Sequence, residues 1–310
     1  MTNRIQRMLG VDIPIVQAPM GYIARAQLAS AVSNAGAMGI IETSSGRLDE
    51  VRVEIEKMAD LTDKPWGVNV AQMFVRTPDI IEFVADQGVR FVTTSAGNPE
   101  QYTTALHEAG ITVFHVVGNL RGAVKAAAAG VDGLIVEGVE GGGFKGVTNA
   151  STMVLLPLIA SKLDLPLIGA GGICDAPTLA AAFVLGAEGG QMGTAMLASL
   201  ESPVHQNWKD AVLAASETET LLVKRGPAPA MRVLRTGAST AMSELESGED
   251  ATAALGRLLE LYFGGDMEAS LANTGQVAGR IESIRPVADI LHEAWDGCQA
   301  ALDAARDRLA

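Results

Sequence analysis

The feature that most restricts this chain is a repeat. Short runs of β-branched and aliphatic residues alternate with amphipathic stretches at a spacing of roughly 20–30 residues, the pattern of βαβ units feeding a parallel sheet. The apolar runs occupy residues 13–16, 37–41, 66–70, 89–93, 111–115, 133–136, 165–169 and 189–192. Between them, apolar residues recur at three and four positions, as in Leu28, Val32 and Ala35, or Leu48, Val51, Ile55 and Met58, which is the spacing of one helix face. Helix starts are signalled by Thr77 before Pro78, by Asn98 before Pro99, by Asn119 and by Asp175, since such side chains accept hydrogen bonds from otherwise unpaired amides and proline suits the first turn.

Eight strands, each but the last with a clear helical segment after it, predict a closed (β/α)8 (TIM) barrel. An open doubly wound sheet is the alternative, but it more often carries Gly-x-Gly-x-x-Gly after its first strand. Here that turn reads Gln17-Ala18-Pro19-Met20. Aromatics make up only 4% of residues and Gly numbers 34, which suits close helix-on-strand packing. After residue 198 the pattern changes. Helices are expected over 205–221 and 252–263, separated by a Pro/Gly turn cluster at 224–229, and a long amphipathic helix over 286–309 should pack back on the barrel. The expected organisation is a barrel of residues 1–198 plus 274–310, with 199–273 forming a small helical cap or substrate segment inserted after strand eight.

A formal charge of −13 argues against nucleic acid or an anionic membrane as partner, because phosphates would be repelled. The two cysteines, Cys174 and Cys298, are too few for a disulfide framework. No paired Cys or His spacing suggests a metal site, so none is expected. The start lacks the apolar core of a signal peptide, and no apolar run is as long as a membrane span. These features point to a cytoplasmic protein acting on a small molecule. They leave the oligomeric state open.

Two glycine clusters indicate a ligand. Gly169-Ala170-Gly171-Gly172-Ile173 follows strand seven, and Gly190-Gln191-Met192-Gly193-Thr194 closes strand eight. Loops after these two strands often form the phosphate site of a barrel from backbone N–H groups, and glycine lets a phosphate approach the backbone closely. With these clusters, residues 16–20 (VQAPM), 29–39 (ASAVSNAGAMG), 64–69 (KPWGVN), 136–146 and 274–279 (TGQVAG) resemble the nitronate monooxygenase family, once called 2-nitropropane dioxygenases. That family is related to flavin-dependent enoyl-acyl-carrier-protein reductases. The resemblance covers about residues 10–200 and resumes at Thr274. It implies an FMN-binding barrel in which Ala18, Pro19 and Met20 lie against the flavin, Asn69 bonds its edge, Gly171, Gly172, Gly193 and Thr194 bind its phosphate, and Gln276 returns to the flavin region.

One departure stands out. Where the family reads Glu-Ala-Gly-Gly-His-x-Gly, this chain has Glu140-Gly141-Gly142-Gly143-Phe144-Lys145-Gly146. Phe144 takes the place of the catalytic histidine and cannot transfer a proton. His115 at the end of strand five and Lys145 are the remaining candidates nearby, with a structural role for His115 and a solvated loop position for Lys145 as the plainer alternatives. The resemblance implies FMN-dependent oxidation of nitronates with O2, a route that tolerates loss of the base because a nitronate is already deprotonated. An alternative is an NAD(P)H-dependent reductase of an enone, quinone or enoyl thioester, taking NADH or NADPH as donor and a proton from Lys145, Tyr22 or water. A third reading is a catalytically silent flavin-binding protein.

Overall fold

The computed structural model describes residues 2–75, 79–146, 150–225, 228–244 and 257–309. The barrel strands are β1 (Ile15–Gln17), β2 (Gly39–Ile41), β3 (Trp66–Ala71), β4 (Phe91–Ser95), β5 (Thr112–Val117), β6 (Gly133–Glu137), β8 (Leu167–Ala170) and β9 (Gly189–Met192). A short strand, β7 (Gly143–Lys145), stands outside the ring. Neighbouring barrel strands pair in parallel in the order β1-β9-β8-β6-β5-β4-β3-β2, and a parallel bridge between Val16 and Met38 joins the two ends. The eight expected strands are these eight, with no end displaced by more than two residues.

Strand alternation sorts the side chains into two layers. Val16, Met38, Ile40, Phe91, Phe114, Ile135 and Ile168 fill the inside, and α1 (Arg4–Leu9) closes the N-terminal end with Ile5 and Leu9. Phe91 and Phe114 meet edge to face at 5.4 Å. The opposite parity, including Val68, Val92, Val113 and Leu134, packs against the surrounding helices. These are α2 (Ala26–Asn34), α3 (Leu48–Leu61), α4 (Asp79–Asp86), α5 (Glu100–Glu108), α6 (Leu120–Ala128), α7 (Thr152–Ala160) and α8 (Ala176–Val184). Asn119 caps α6 by accepting from the Gly122 amide at 2.8 Å, and Asp175 with Thr178 forms a reciprocal capping box on α8. Asn98 acts one step earlier than expected: α5 begins at Glu100 after Pro99, and Asn98 accepts from the Glu100 amide. Thr77 and Pro78 lie outside the described residues.

After β9 the chain forms the short α9 (Thr194–Leu197), then α10 (Gln206–Leu213). The helix expected over 205–221 therefore ends early. From Thr220 the β-branched and aliphatic run instead makes β10 (Thr220–Arg225), which pairs antiparallel with β11 (Ala228–Leu234). The other edge of β11 pairs with β7, placing Met231 opposite Phe144 and Ala230 opposite Lys145. Val223, Met231, Val233, Met242 and Leu271 form a small core under this sheet, with Met242 supplied by α11 (Gly237–Glu244). The helices anticipated here are thus joined by a three-stranded sheet that helical periodicity did not reveal. Of residues 252–263, the described part contains α12 (Leu258–Tyr262). The last helix, α13 (Val287–Asp307), lies on α8 and α2, where Trp295 meets Phe183 at 6.1 Å.

The fit of β2 against α2 is a sharp test of this packing. A Cβ at Gly39 would fall 2.0 Å from the Ala29 carbonyl oxygen and 2.8 Å from Ser33 Oγ. Backbone cannot yield as a side-chain tip does, so Gly39→Ala should destabilise the protein by about 3 kcal/mol or more. Urea denaturation would read this as a lower midpoint at unchanged slope, and a midpoint like that of the parent would disprove the close approach.

Candidate functional site

A cavity of about 500 Å³ opens at the C-terminal ends of the barrel strands, roofed by the segment after β9. That is the end where barrels of this class carry their sites, and the volume suits a cofactor pocket. Its wall is mostly apolar backbone and side chain, with polar groups gathered at two ends.

At the first end, Gly171 and Gly172 follow β8 with φ of 83° and 81°, a region that a side chain strains to enter. Space matters too: a Cβ on Gly171 would sit 2.9 Å from the Gly138 oxygen and 3.0 Å from the Gly141 nitrogen. Loops after β6 and β8 therefore touch. Thr152 at the start of α7 fastens them, its hydroxyl donating to the Gly171 carbonyl at 2.8 Å while its amide donates to the Glu140 carboxylate at 2.9 Å. Among the described residues, no protein acceptor meets the amides of Gly171, Gly172, Gly193 or Thr194. The Thr194 oxygen accepts from the Gly275 amide at 2.9 Å, which leaves its own proton available to donate. Such a cluster of free donors is a cradle for an anion.

Along the floor lie Ala18, Pro19 and Met20 from the turn after β1, together with Asn69 from β3. Asn69 is buried and donates to Thr93 Oγ1 at 2.8 Å. Gln191 on β9 and Asn273 also line the cavity, and each has a buried amide oxygen with no hydrogen-bond partner. A buried acceptor left in this state costs free energy, and a ligand N–H would satisfy it.

The second polar end is a charge pair. Lys145 is buried, and its Nζ donates to Glu137 Oε1 at the end of β6. The solvated loop position considered for this lysine is not what the strand pairing produces. Phe144, on the opposite face of β7, is 43% exposed, with its ring 6.0 Å from Phe74 at the cavity mouth. Arg232 on β11 is buried and donates through Nε to the Val139 carbonyl at 2.6 Å, holding the stretch between β6 and β7. Burial lowers the Arg232 pKa, and the nearby Glu140 opposes that shift.

Ten of the anticipated residues therefore share one cavity: Ala18, Pro19, Met20, Asn69, Phe144, Lys145, Gly171, Gly172, Gly193 and Thr194. Two do not. His115 belongs to the outer layer of β5, since Phe114 and Val116 take the inner one. Its Nδ1 lies 2.7 Å from Thr94 Oγ1, and burial, aided by Lys125, pushes its pKa down to about 4. Gln276 is exposed; its amide donates to the Glu140 carbonyl at 2.9 Å, while Gly275 and Val277 on either side line the cavity. Glu137, Gln191 and Asn273 were not anticipated. Gln191 stood inside a quoted glycine cluster, and Glu137 is the residue just past the apolar run 133–136.

The sequence model of the nitronate monooxygenase family matches residues 2–80 and 75–296. A (3aS,4S,5R,7aS)-5-hydroxy-7a-methyl-1-oxo-octahydro-1H-indene-4-carboxyl-CoA dehydrogenase of Mycobacterium tuberculosis is 37% identical over 250 residues, 80% of this chain and 69% of that one. A nitronate monooxygenase of Paraburkholderia phytofirmans is 31% identical, covering 69% of this chain and 71% of that one. Among solved structures, FabK from Thermotoga maritima superposes with a TM-score of 0.93 at 34% identity, over 99% of both chains.

The position of His115 generates a pH prediction. Its pKa is lowered from 6.5, so the unfolded chain takes up the proton first, and stability falls as pH drops from 6.5 towards about 4. Proton NMR should find this imidazole neutral down to about pH 4, and His115→Gln should reduce the acid-side loss of stability. Titration of His115 near 6.5 would show the ring to be solvated instead.

Proposed function

This chain belongs to the nitronate monooxygenase family and is a flavin-dependent oxidoreductase, and on that premise we propose that its flavin is FMN and its substrate an enone or acyl thioester, reduced or oxidised at the carbon–carbon bond beside the carbonyl. The observation that carries the cofactor is the set of unpartnered amides at Gly171, Gly172, Gly193 and Thr194 around one end of the cavity. A single phosphate monoester presents the acceptors these donors lack. Gln191 and Asn273 add two orphaned acceptors to the same cavity wall, and FMN carries donors for them in its ribityl hydroxyls and its imide N–H. Ala18, Pro19 and Met20 would lie against its ring system, and Asn69 would hold its edge.

When bound, FMN supplies two-electron chemistry that no side chain can. The chain's own residues bind and orient it, exclude water and handle protons. The substrate class is supported by the Mycobacterium tuberculosis relative, which is named for a carboxyl-CoA, and by the Lys145–Glu137 pair on the cavity wall, since chemistry beside a carbonyl requires a proton at the α-carbon. The electron donor for reduction would be NADH or NADPH. Nitronate oxidation is the second reading. It is favoured by the family match and by Phe144 standing where a base is usual, because a nitronate arrives already deprotonated.

Anaerobic titration of the purified protein separates the two. Loss of the oxidised flavin spectrum on adding a saturated acyl thioester, or NADH or NADPH with recovery on adding an enoyl thioester, supports the first reading. Bleaching by an alkyl nitronate alone assigns the second. A colourless protein that takes up no added FMN would sink both. In the same assay Gly193→Val should weaken FMN binding by about 100-fold, equivalent to ~2.7 kcal/mol. Its Cβ would lie 3.3 Å from the Ala18 Cβ and 4.0 Å from the Met20 Sδ, so the added methyls enter the ligand space while the strands keep their packing. Unchanged affinity would mean that the phosphate lies elsewhere.

A further inference from the structure

We propose that Lys145 is the catalytic acid and base at the substrate's α-carbon and that Glu137 connects it to solvent. This rests on the enone or thioester reading above.

Three observations lead to it. First, the ammonium has three N–H bonds, and among the described residues only one of them, to Glu137, has a protein acceptor. The other two belong to a buried cation on the wall of the cavity, so they are available to whatever occupies it. Second, exposure is divided between the partners: the Lys145 side chain is 5% accessible and that of Glu137 26%. A proton reaching Lys145 from bulk water therefore has a route through the carboxylate that it already contacts. Third, the surrounding backbone is shaped around the pair. A Cβ on Gly141 would fall 2.6 Å from Glu137 Oε1 and 2.9 Å from Lys145 Nζ, so any side chain there would displace one of them. The strand pairing of Lys145 with Ala230 and the grip of Arg232 on Val139 fix the lysine from the other side. Burying a pair of charges is weak support for stability, because desolvation offsets their attraction. A role in chemistry accounts for the arrangement better.

In the reducing direction one Lys145 N–H bond breaks and a Cα–H bond forms, the electron pair remaining on nitrogen. The reduced flavin would be the co-reactant that supplies a hydride to the β-carbon, and the electron pair of the Cα–Cβ double bond so opened is the one that takes the Lys145 proton. The neutral amine then regains a proton from water by way of Glu137. In the oxidising direction the neutral amine removes the α-proton, and the proton leaves by the same route.

Arginine distinguishes this role from simple charge. Lys145→Arg keeps a cation beside Glu137, yet a guanidinium does not give up its proton at neutral pH. The reporter is hydrogen–deuterium exchange at the α-carbon of butyryl-CoA in D2O, followed by NMR with the flavin oxidised, alongside calorimetric affinity for acetoacetyl-CoA and the visible flavin spectrum. Lys145→Arg should bind acetoacetyl-CoA about as well as the parent and keep its flavin spectrum, while exchange falls by about 100-fold or more. Lys145→Met should lose exchange equally, which guards against an arginine too bulky for the site. Glu137→Gln should slow exchange by about tenfold, with partial recovery in added acetate, a small acid that can stand in for the carboxylate. Exchange at the parental rate in both Lys145 variants would overturn the proposal and direct attention to Tyr22 or water. If Lys145→Met loses affinity while Lys145→Arg loses nothing, the lysine is only a cation for the carbonyl oxygen, and the proposal is equally overturned. Failure of the underlying reading looks different: the parent protein would neither exchange the thioester proton nor bleach with it, yet would still respond to a nitronate.

Discussion

Everything at this site depends on one consequence of closing parallel strands into a ring. Within the barrel each backbone N–H finds a carbonyl on the neighbouring strand, but at the C-terminal ends the ladder stops and the last amides turn outward. Gly171, Gly172, Gly193 and Thr194 are those amides. Leaving donors unpaired is tolerable only where a ligand or water can reach them, so the same feature that ends the sheet creates the anion cradle. Glycine is required at 171 for a second reason, since the loop after β6 presses directly against it. The cradle and the charged wall are therefore not independent. Thr152 and Glu140 tie them together at the N-terminus of α7.

The barrel alone does not explain the position of Lys145. Its strand, β7, lies outside the ring and gains its order from β11 in the segment after β9. Residues nearly ninety positions apart in sequence thus share one ladder, and loosening the β10–β11 hairpin would disturb the charged end of the cavity while leaving the eight barrel strands paired. Arg232 adds to this coupling. It is a buried cation whose hydrogen bonds go to the neutral oxygens of Val139 and Thr220, so its contribution is largely to hold the β6–β7 connection in place.

The barrel was legible in the sequence because its two signals are local: apolar runs of strand length, and helical spacing between them. The caps at Asn119 and Asp175 were legible for the same reason. The glycine clusters gave away the anion end because close approach demands a particular residue type. The charged end was not legible, because β7 is three residues long in a glycine-rich loop and no local pattern announces a strand that exists only by pairing with a distant hairpin. The stretch 220–225 carried β-forming residues, but the helical reading of α10 was extended across them. Between the two roles open to His115 the sequence could not choose: nearness to the end of a strand says nothing about which face a side chain takes, and alternation from Phe114 sends it outward, to the structural one.

Parity also reframes the substitution at Phe144. Comparison along a motif treats the residue at the histidine position as the replacement, and an aromatic ring there suggests that proton transfer has been lost. In a strand, however, adjacent residues face opposite ways. Phe144 stacks towards Phe74 at the mouth, and its neighbour Lys145 turns inward to meet Glu137. An ionisable group can thus reach the cavity from the position beside the motif's usual one, approached from the other face of the same short strand. A motif position identifies a stretch of backbone; the fold around that stretch decides which of its side chains meets the substrate.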